Sequence, residues 1–170
     1  MDLYRIILVD DEEEVRKSII RKIDWQAVGF TVVGDAENGE DALEKIEALE
    51  QDVVLTDIRM PYMDGLTLAE KIRQRYPSMK IVIFSGYDDF DYAKRAIKLN
   101  VTEYILKPVN VEELTAILRR IQESLDEEIE QIRSTGLDCY AYGFFSRSGF
   151  DGDVDPSKQL RLFSIEELYR

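Results

Sequence analysis

Asp52-Val-Val-Leu-Thr-Asp57-Ile-Arg-Met-Pro-Tyr-Met-Asp-Gly65 is the stretch whose reading decides the fold. Val53 to Leu55 is a short apolar run of the kind buried on both faces of a parallel sheet. The run stops on a carboxylate, Asp57, and Pro61 and Gly65 then punctuate a loop. A carboxylate at the C-terminal end of a buried parallel strand lies where open α/β sheets place their ligands.

Working outward, the same pattern recurs. Tyr4 to Val9 is a β-branched, apolar strand that ends on Asp10 and Asp11, followed by Glu12, Glu13 and Glu14. Acidic residues suit the first turn of a helix, and Val15, Ile19, Ile20 and Ile23 continue at helical spacing to about Ile23. After a connector holding Trp25, which is expected to pack, Phe30 to Val33 forms the second strand. Asn38-Gly39 turns into a helix with Ala42, Leu43, Ile46 and Leu49 on one face. Beyond the third strand, a helix carrying Leu66, Leu68, Ala69 and Ile72 ends before Pro77. Lys80 to Phe84 is the fourth strand, ending on Ser85-Gly86, and Asp88 to Leu99 a helix. Val101 to Leu106 is the fifth strand, ending on Lys107-Pro108. The last helix opens after Asn110, a good N-cap, and runs to about Arg133. Five strands alternating with five helices predict a doubly wound α/β fold with a five-stranded parallel sheet.

Composition excludes several chemistries. The 170 residues carry 35 acidic and 22 basic side chains, a net charge of −13, which disfavours nucleic-acid contact by this segment. There is no histidine, so Ser-His-Asp and Cys-His catalysis and His-based metal sites are out. The single Cys139 cannot form an internal disulfide, no apolar run reaches the roughly 18–20 residues that span a membrane, and the N-terminus lacks signal-peptide character. A cytoplasmic location without membrane contact is the expectation.

The strand ends gather chemistry at one edge. Strand one supplies Asp10 and Asp11, strand three Asp57, strand four the Ser85 hydroxyl and strand five Lys107, and a doubly wound sheet opens these ends into one crevice. Clustered carboxylates repel unless neutralised, and a hard cation such as Mg²⁺ suits an oxygen-only donor set. Lys107 suits the charge of a phosphoryl group, and Ser85 can donate to it. Asp57 is then the best carboxylate nucleophile, with the Asp10–Asp11 pair holding metal. Taken singly, Asp10 and Asp11 also suit helix capping, Asp57 a strand-end turn and Tyr104 plain packing; the joint register favours a site.

Ile7-Leu-Val-Asp-Asp11, Leu55 to Gly65, Phe84-Ser-Gly86 and Tyr104-Ile-Leu-Lys-Pro108 together resemble the receiver domain of two-component response regulators, over about residues 3 to 125. The resemblance implies a flavodoxin-like strand order of 2-1-3-4-5. It implies Asp57 as phosphoacceptor, with Mg²⁺ held by Asp10, Asp11, Asp57 and the backbone carbonyl of Arg59. It also implies Lys107 and Ser85 as phosphoryl contacts and Ser85 and Tyr104 as the switch pair. The implied partner is a sensor histidine kinase. Thr56 to Pro61 with Ser85 to Ala93 is similar to receivers that precede AraC-type DNA-binding domains, which points to transcription as the output. Such a domain catalyses only its own phosphorylation and dephosphorylation. A Mg²⁺-dependent phosphohydrolase would want Asp-x-Asp on the first strand, and a flavodoxin-like cofactor binder a glycine-rich loop where this chain has five acids. A receiver acting only as an interaction module is disfavoured, since no site residue is missing.

Residues 1–125 are read as the receiver, 126–136 as a helical extension and 137–170 as an aromatic-rich appendage. Leu114, Leu118, Ile121, Leu125 and Ile132 carry an apolar stripe past the receiver core, which predicts a homodimer through helix four, strand five and helix five. Lys94, Arg95 and Lys98 read as a solvated helix face that could also meet a partner. The final 34 residues hold seven of the 17 aromatics. They read as two strands and a short helix, with faint likeness to the end of restriction-endonuclease-like domains. Asp151 to Asp155 mimics a calcium loop but lacks its glycine and distal glutamate. The expected DNA-binding output is absent from this stretch.

Overall fold

The computed structural model describes residues 3–86 and 90–134. The strands are β1 (Tyr4–Val9), β2 (Phe30–Ala36), β3 (Val53–Asp57), β4 (Lys80–Ser85) and β5 (Glu103–Leu106). The helices are α1 (Glu13–Lys22), α2 (Gly39–Leu49), α3 (Gly65–Arg75), α4 (Phe90–Lys98) and α5 (Val111–Ser134), with a 3₁₀ turn at Gln26–Val28. The strands run parallel in the order β2-β1-β3-β4-β5, as expected from the sequence.

Strand periodicity divides the core into two layers. Ile6, Leu8, Val53, Leu55, Val82 and Phe84 face α1 and α5, meeting Ile19, Leu114, Leu118 and Ile121. The alternate residues Ile7, Val9, Val54, Ile81 and Ile83 face α2, α3 and α4, meeting Ala42, Ile46, Leu66 and Ile72. Burial on both faces is why β1, β3 and β4 read as continuous apolar runs rather than alternating ones.

Several boundaries differ from the sequence reading. β2 continues three residues beyond Val33, because a register shift between Ile6 and Ile7 lets Gly34, Asp35 and Ala36 pair with Ile7, Leu8 and Val9. β5 begins at Glu103 because the Val101 amide closes the end of α4 on Ala96 O (3.2 Å). α1 stops at Lys22, since Ile23 is extended. Trp25 packs against the first layer, and its indole Nε1 donates to Ile20 O (2.9 Å). Asn110 caps α5 as expected, its Oδ1 accepting from the amides of Glu112 (2.7 Å) and Glu113 (3.2 Å). α5 passes residue 125 without a break, although Leu125 is the last buried side chain among its described residues. Its far half is tied to the sheet by Tyr4 Oη donating to Asp126 (2.7 Å) and by a Lys80–Glu128 ion pair. Expectations for Asp88, Cys139 and the strands, helix and acidic loop of 137–170 fall outside the described residues.

Candidate functional site

Parallel register sets the site. Val9 pairs with Thr56 and Phe84 with Asp57, so the ends of β1, β3 and β4 lie side by side, and Ser85 pairs with Leu106 just before Lys107. Asp10 and Asp57 are only 3 % and 6 % exposed. The Lys107 ammonium sits between them, 2.7 Å from Asp10 Oδ2 and 2.9 Å from Asp57 Oδ1. Lys107 is placed by its own amide, which donates to Ser85 O (2.7 Å), and its peptide to Pro108 is cis.

The remaining oxygens of the acid pair are also engaged. Asp57 Oδ2 accepts from the Arg59 amide (2.9 Å), and Asp10 Oδ1 from the Glu12 amide (2.9 Å). Burial pushes the Asp57 carboxyl above its ordinary pKa, against the pull of Lys107 and with help from the Asp10 charge. Burial works against the Lys107 ammonium as well, but hydrogen bonds and charge from both Asp10 and Asp57 outweigh it and raise its pKa. Both directions follow from two buried anions sharing one cation.

Asp11 stands apart. It is exposed and borders an open cleft of about 550 Å³, lined also by Ile58, Arg59, Met60, Asp64 and Tyr92. Among the described residues no three acidic groups converge on one point, so the three-carboxylate cluster expected at the strand ends is a pair plus a neighbour. Lys107 is the reason: its ammonium draws Asp10 and Asp57 together, and Asp11, one residue on, faces outward. The donor set still fits a hard dication. It is all oxygen, and the two buried carboxylates exceed their lysine by one negative charge before Asp11 is added.

Arg59, expected to serve through its carbonyl, places its guanidinium 5.7 Å from the Tyr92 ring centre and thus away from ligand duty. Ser85 is buried at the end of β4. Tyr104 packs into the second core layer, and its hydroxyl is buried with no hydrogen-bond partner among the described residues. An orphaned phenol is a standing cost, because its water contacts are lost without replacement.

Four supporting residues escaped sequence reasoning. A Cβ on Gly65 would lie 1.9 Å from Asp57 O, so α3 starts against the backbone of β3 only because residue 65 has no side chain. Thr56 Oγ1 donates to the same carbonyl (2.9 Å). Gly39 lets α2 back the loop, its amide donating to Met63 O (3.1 Å) where a Cβ would meet Met63 at 2.8 Å. Arg16, buried on α1, donates to Asp10 O (2.5 Å) and pairs with Asp35 (2.7 Å). Arg16 alone left a signal, a cation on the helix face shared with Ile20 and Ile23.

Comparison with known proteins places the chain in a family. Residues 6–119 match the family model of the response regulator receiver domain. The chain is 36% identical over 157 residues to the uncharacterized transcriptional regulatory protein YesN of Bacillus subtilis, covering 85% of this chain and 43% of that one. It is 33% identical over 138 residues to the transcriptional regulatory protein HptR of Staphylococcus aureus, covering 81% and 54%. The chain therefore spans about half the length of these curated relatives. The receiver domain of AraT, a response regulator from Geobacillus stearothermophilus, superposes with a TM-score of 0.70 at 38% identity over 74% of this chain and 98% of that one. A two-component transcriptional regulator AraC from Clostridium phytofermentans gives 0.68 at 35% identity over 73% and 96%. The chain belongs to the response regulator receiver family.

Two outcomes follow from the site. Gly65→Ala should lower stability by about 1–3 kcal/mol through overpacking, although alanine is the better helix former by ~1 kcal/mol; an unchanged or raised urea midpoint would contradict the close approach. The folded pKa of Asp57 lies above its unfolded value. The ionised group therefore costs stability at pH values above both, and that cost fades as pH falls through the folded value toward the unfolded one. Asp57→Asn should raise the urea midpoint at neutral pH, with the gain shrinking toward the ordinary carboxylate range. A gain that grows on acidification would refute this.

Proposed function

We propose that this receiver is a phosphorylation-dependent switch in which Asp57 accepts a phosphoryl group from a sensor histidine kinase. The observation that carries the reading is the Lys107 ammonium held between buried Asp10 and Asp57, at 2.7 and 2.9 Å. One Asp57 carboxylate oxygen attacks phosphorus, forming an O–P bond as the N–P bond of the phosphohistidine breaks and the imidazole leaves. The Arg59 amide holds the other oxygen and so orients the attack. Lys107 follows the charge onto the phosphoryl oxygens, where an ammonium beside two buried carboxylates is worth more than in bulk. Receivers in general bind Mg²⁺ at the phosphorylation site. Here Asp10, Asp11, Asp57 and the Arg59 carbonyl would hold it, and when bound it supplies charge neutralisation to the transferring group.

Ser85 ends the neighbouring strand and would donate its hydroxyl to the phosphoryl group. Tyr104 is the matching switch residue: its orphaned hydroxyl favours a rotation that brings it to water once the inward arrangement is disturbed. The surface changed in this way is α4–β5–α5, where Ile97 is 78 % and Leu106 49 % exposed. Two such faces from two copies would bury these side chains together, so homodimerisation is the coupled event. The output is transcription, as in the regulators the chain resembles, through a part beyond 1–125, with 126–136 as extension and 137–170 without an assigned role. Among the described residues no helix is long and apolar enough to cross a membrane. The kinase partnership and the presence of only one cysteine in the sequence suit the cytoplasm, and the net charge of −13 argues against nucleic-acid contact by this segment. The only reaction assigned is the domain's own phosphorylation and dephosphorylation.

With a small-molecule phosphoryl donor, the wild-type chain should take up one acid-labile phosphate in a Mg²⁺-dependent manner. Asp57→Asn should take up none; uptake that survives this substitution sinks the assignment. In sedimentation, the donor should move the mass from one chain toward two. A monomer mass that is independent of both concentration and donor would dispose of the dimer.

A further inference from the structure

Arg73, in the last turn of α3, makes contacts that the chemistry at Asp57 leaves unexplained. Its guanidinium donates to Leu99 O (3.2 Å) and Asn100 O (3.0 Å), just past α4, and to Pro77 O and Met79 O (3.1 Å), in the turn before β4. Four carbonyls from two separate segments converge on one planar cation. Among the described residues no carboxylate pairs with it, and burial alone lowers its pKa. Salt-bridge formation is thus not its purpose. A rigid fork of N–H donors suits the collection of carbonyl oxygens, which a flexible ammonium cannot reach together.

The carbonyls it collects belong to a helix end that is already closed. The Asn100 amide donates to Ile97 O (3.0 Å) and the Val101 amide to Ala96 O (3.2 Å), with Asn100 at φ 51°. This paired arrangement, with a left-handed residue after the helix, is the Schellman motif. It leaves the carbonyls of Leu99 and Asn100 pointing outward, and Arg73 satisfies both. The lead-in to β5 is pinned next to it: the Thr102 amide donates to Ile81 O (2.7 Å), and Thr102 Oγ1 accepts from the Ile81 amide (3.1 Å).

Among the described residues, the rest of α4 buries less. Ala96 is its one fully buried apolar residue among those described, and Ile97 is largely in solvent. Toward its N-terminal half, Tyr92 meets the Arg59 guanidinium at 5.7 Å, an exposed cation–π contact. That contact is carried by the residue whose amide binds Asp57.

We infer that Arg73 is a positioning residue that fixes the C-terminal end of α4 as a pivot, so that a change at Asp57 moves the N-terminal half of the helix and leaves 97–101 in place. The inference rests on the phosphorylation reading for the source of the motion, but the anchor itself exists in the resting protein. Arg73→Met removes all four hydrogen bonds while keeping an unbranched side chain of similar reach. Arg73→Lys keeps the charge and loses the fork.

Hydrogen exchange of the full chain, read by mass spectrometry, tests it. At rest, Arg73→Met should speed exchange of amides 97–101 at least tenfold, and Arg73→Lys should fall between it and wild type. Exchange in β1 and β3 should stay within twofold in both variants. With donor and Mg²⁺, wild type should change exchange over 90–95 and leave 97–101 as it was, while Arg73→Met should change both stretches. Unaltered protection of 97–101 at rest overturns the anchor, as does acceleration spread evenly through the sheet, which is ordinary loss of stability. A donor response in wild type as large at 97–101 as at 90–95 overturns the pivot. Failure to take up phosphate would refute the switch, and the resting rates would still judge the anchor by themselves.

Discussion

Two buried carboxylates around one ammonium are the constraint on which the site depends. Taking Asp10, Asp57 and Lys107 out of water is expensive, and their mutual attraction returns the cost only where geometry is good and the spare lone pairs are occupied. Here they are occupied, by the Arg59 and Glu12 amides. The raised pKa of Asp57 indicates that compensation remains incomplete at that carboxylate. A cluster that is satisfied in its hydrogen bonds yet over-supplied with negative charge is a poor stabiliser of the fold. It is a good receptor for further positive charge, and it favours any event that redistributes its lysine.

The scaffold holds this arrangement through its backbone. Asp57 O is met by Thr56 Oγ1 on one side and by the bare Cα of Gly65 on the other, so the strand end can neither lift nor twist. Asp10 O is held by Arg16, which reaches across to Asp35 on the neighbouring strand. Tyr104 is the opposite case, with its hydroxyl left orphaned in the second core layer. Polar groups that must not move are paired, and the side chain read as the mover is not.

Most of the fold was legible because burial on both faces turns β1, β3 and β4 into plain apolar runs, and parallel strands must then carry their terminal residues to one edge. That logic places Asp10, Asp57, Ser85 and Lys107 from local sequence alone. It fails wherever the deciding contact joins distant segments. Nothing near Gly65 announces that Asp57 O will lie against it, and nothing near Arg73 announces Leu99 and Asn100. The extension of β2 through Gly34 and Asp35, residues of low strand propensity, follows from a register shift with β1. Asp11, expected beside Asp10, borders the neighbouring cleft and does not join the Lys107 pair, a placement that no feature of the local sequence announces.

The two helices flanking β5 are unequal, and that inequality gives the switch a direction. α5 buries Leu114, Leu118, Ile121 and Leu125 and is tied further along by Tyr4 and Lys80. Among its described side chains, α4 fully buries only Ala96, and Arg73 holds its C-terminal end. A phosphoryl group on Asp57 would raise the local charge from about −1 to about −2. Lys107 would then be drawn from Asp10 toward the phosphoryl oxygens, and Ser85 with it. That rearrangement would bear first on the half of α4 that Arg73 does not hold. α5, buried as far as Leu125 and tied at Asp126 and Glu128, would stay in place.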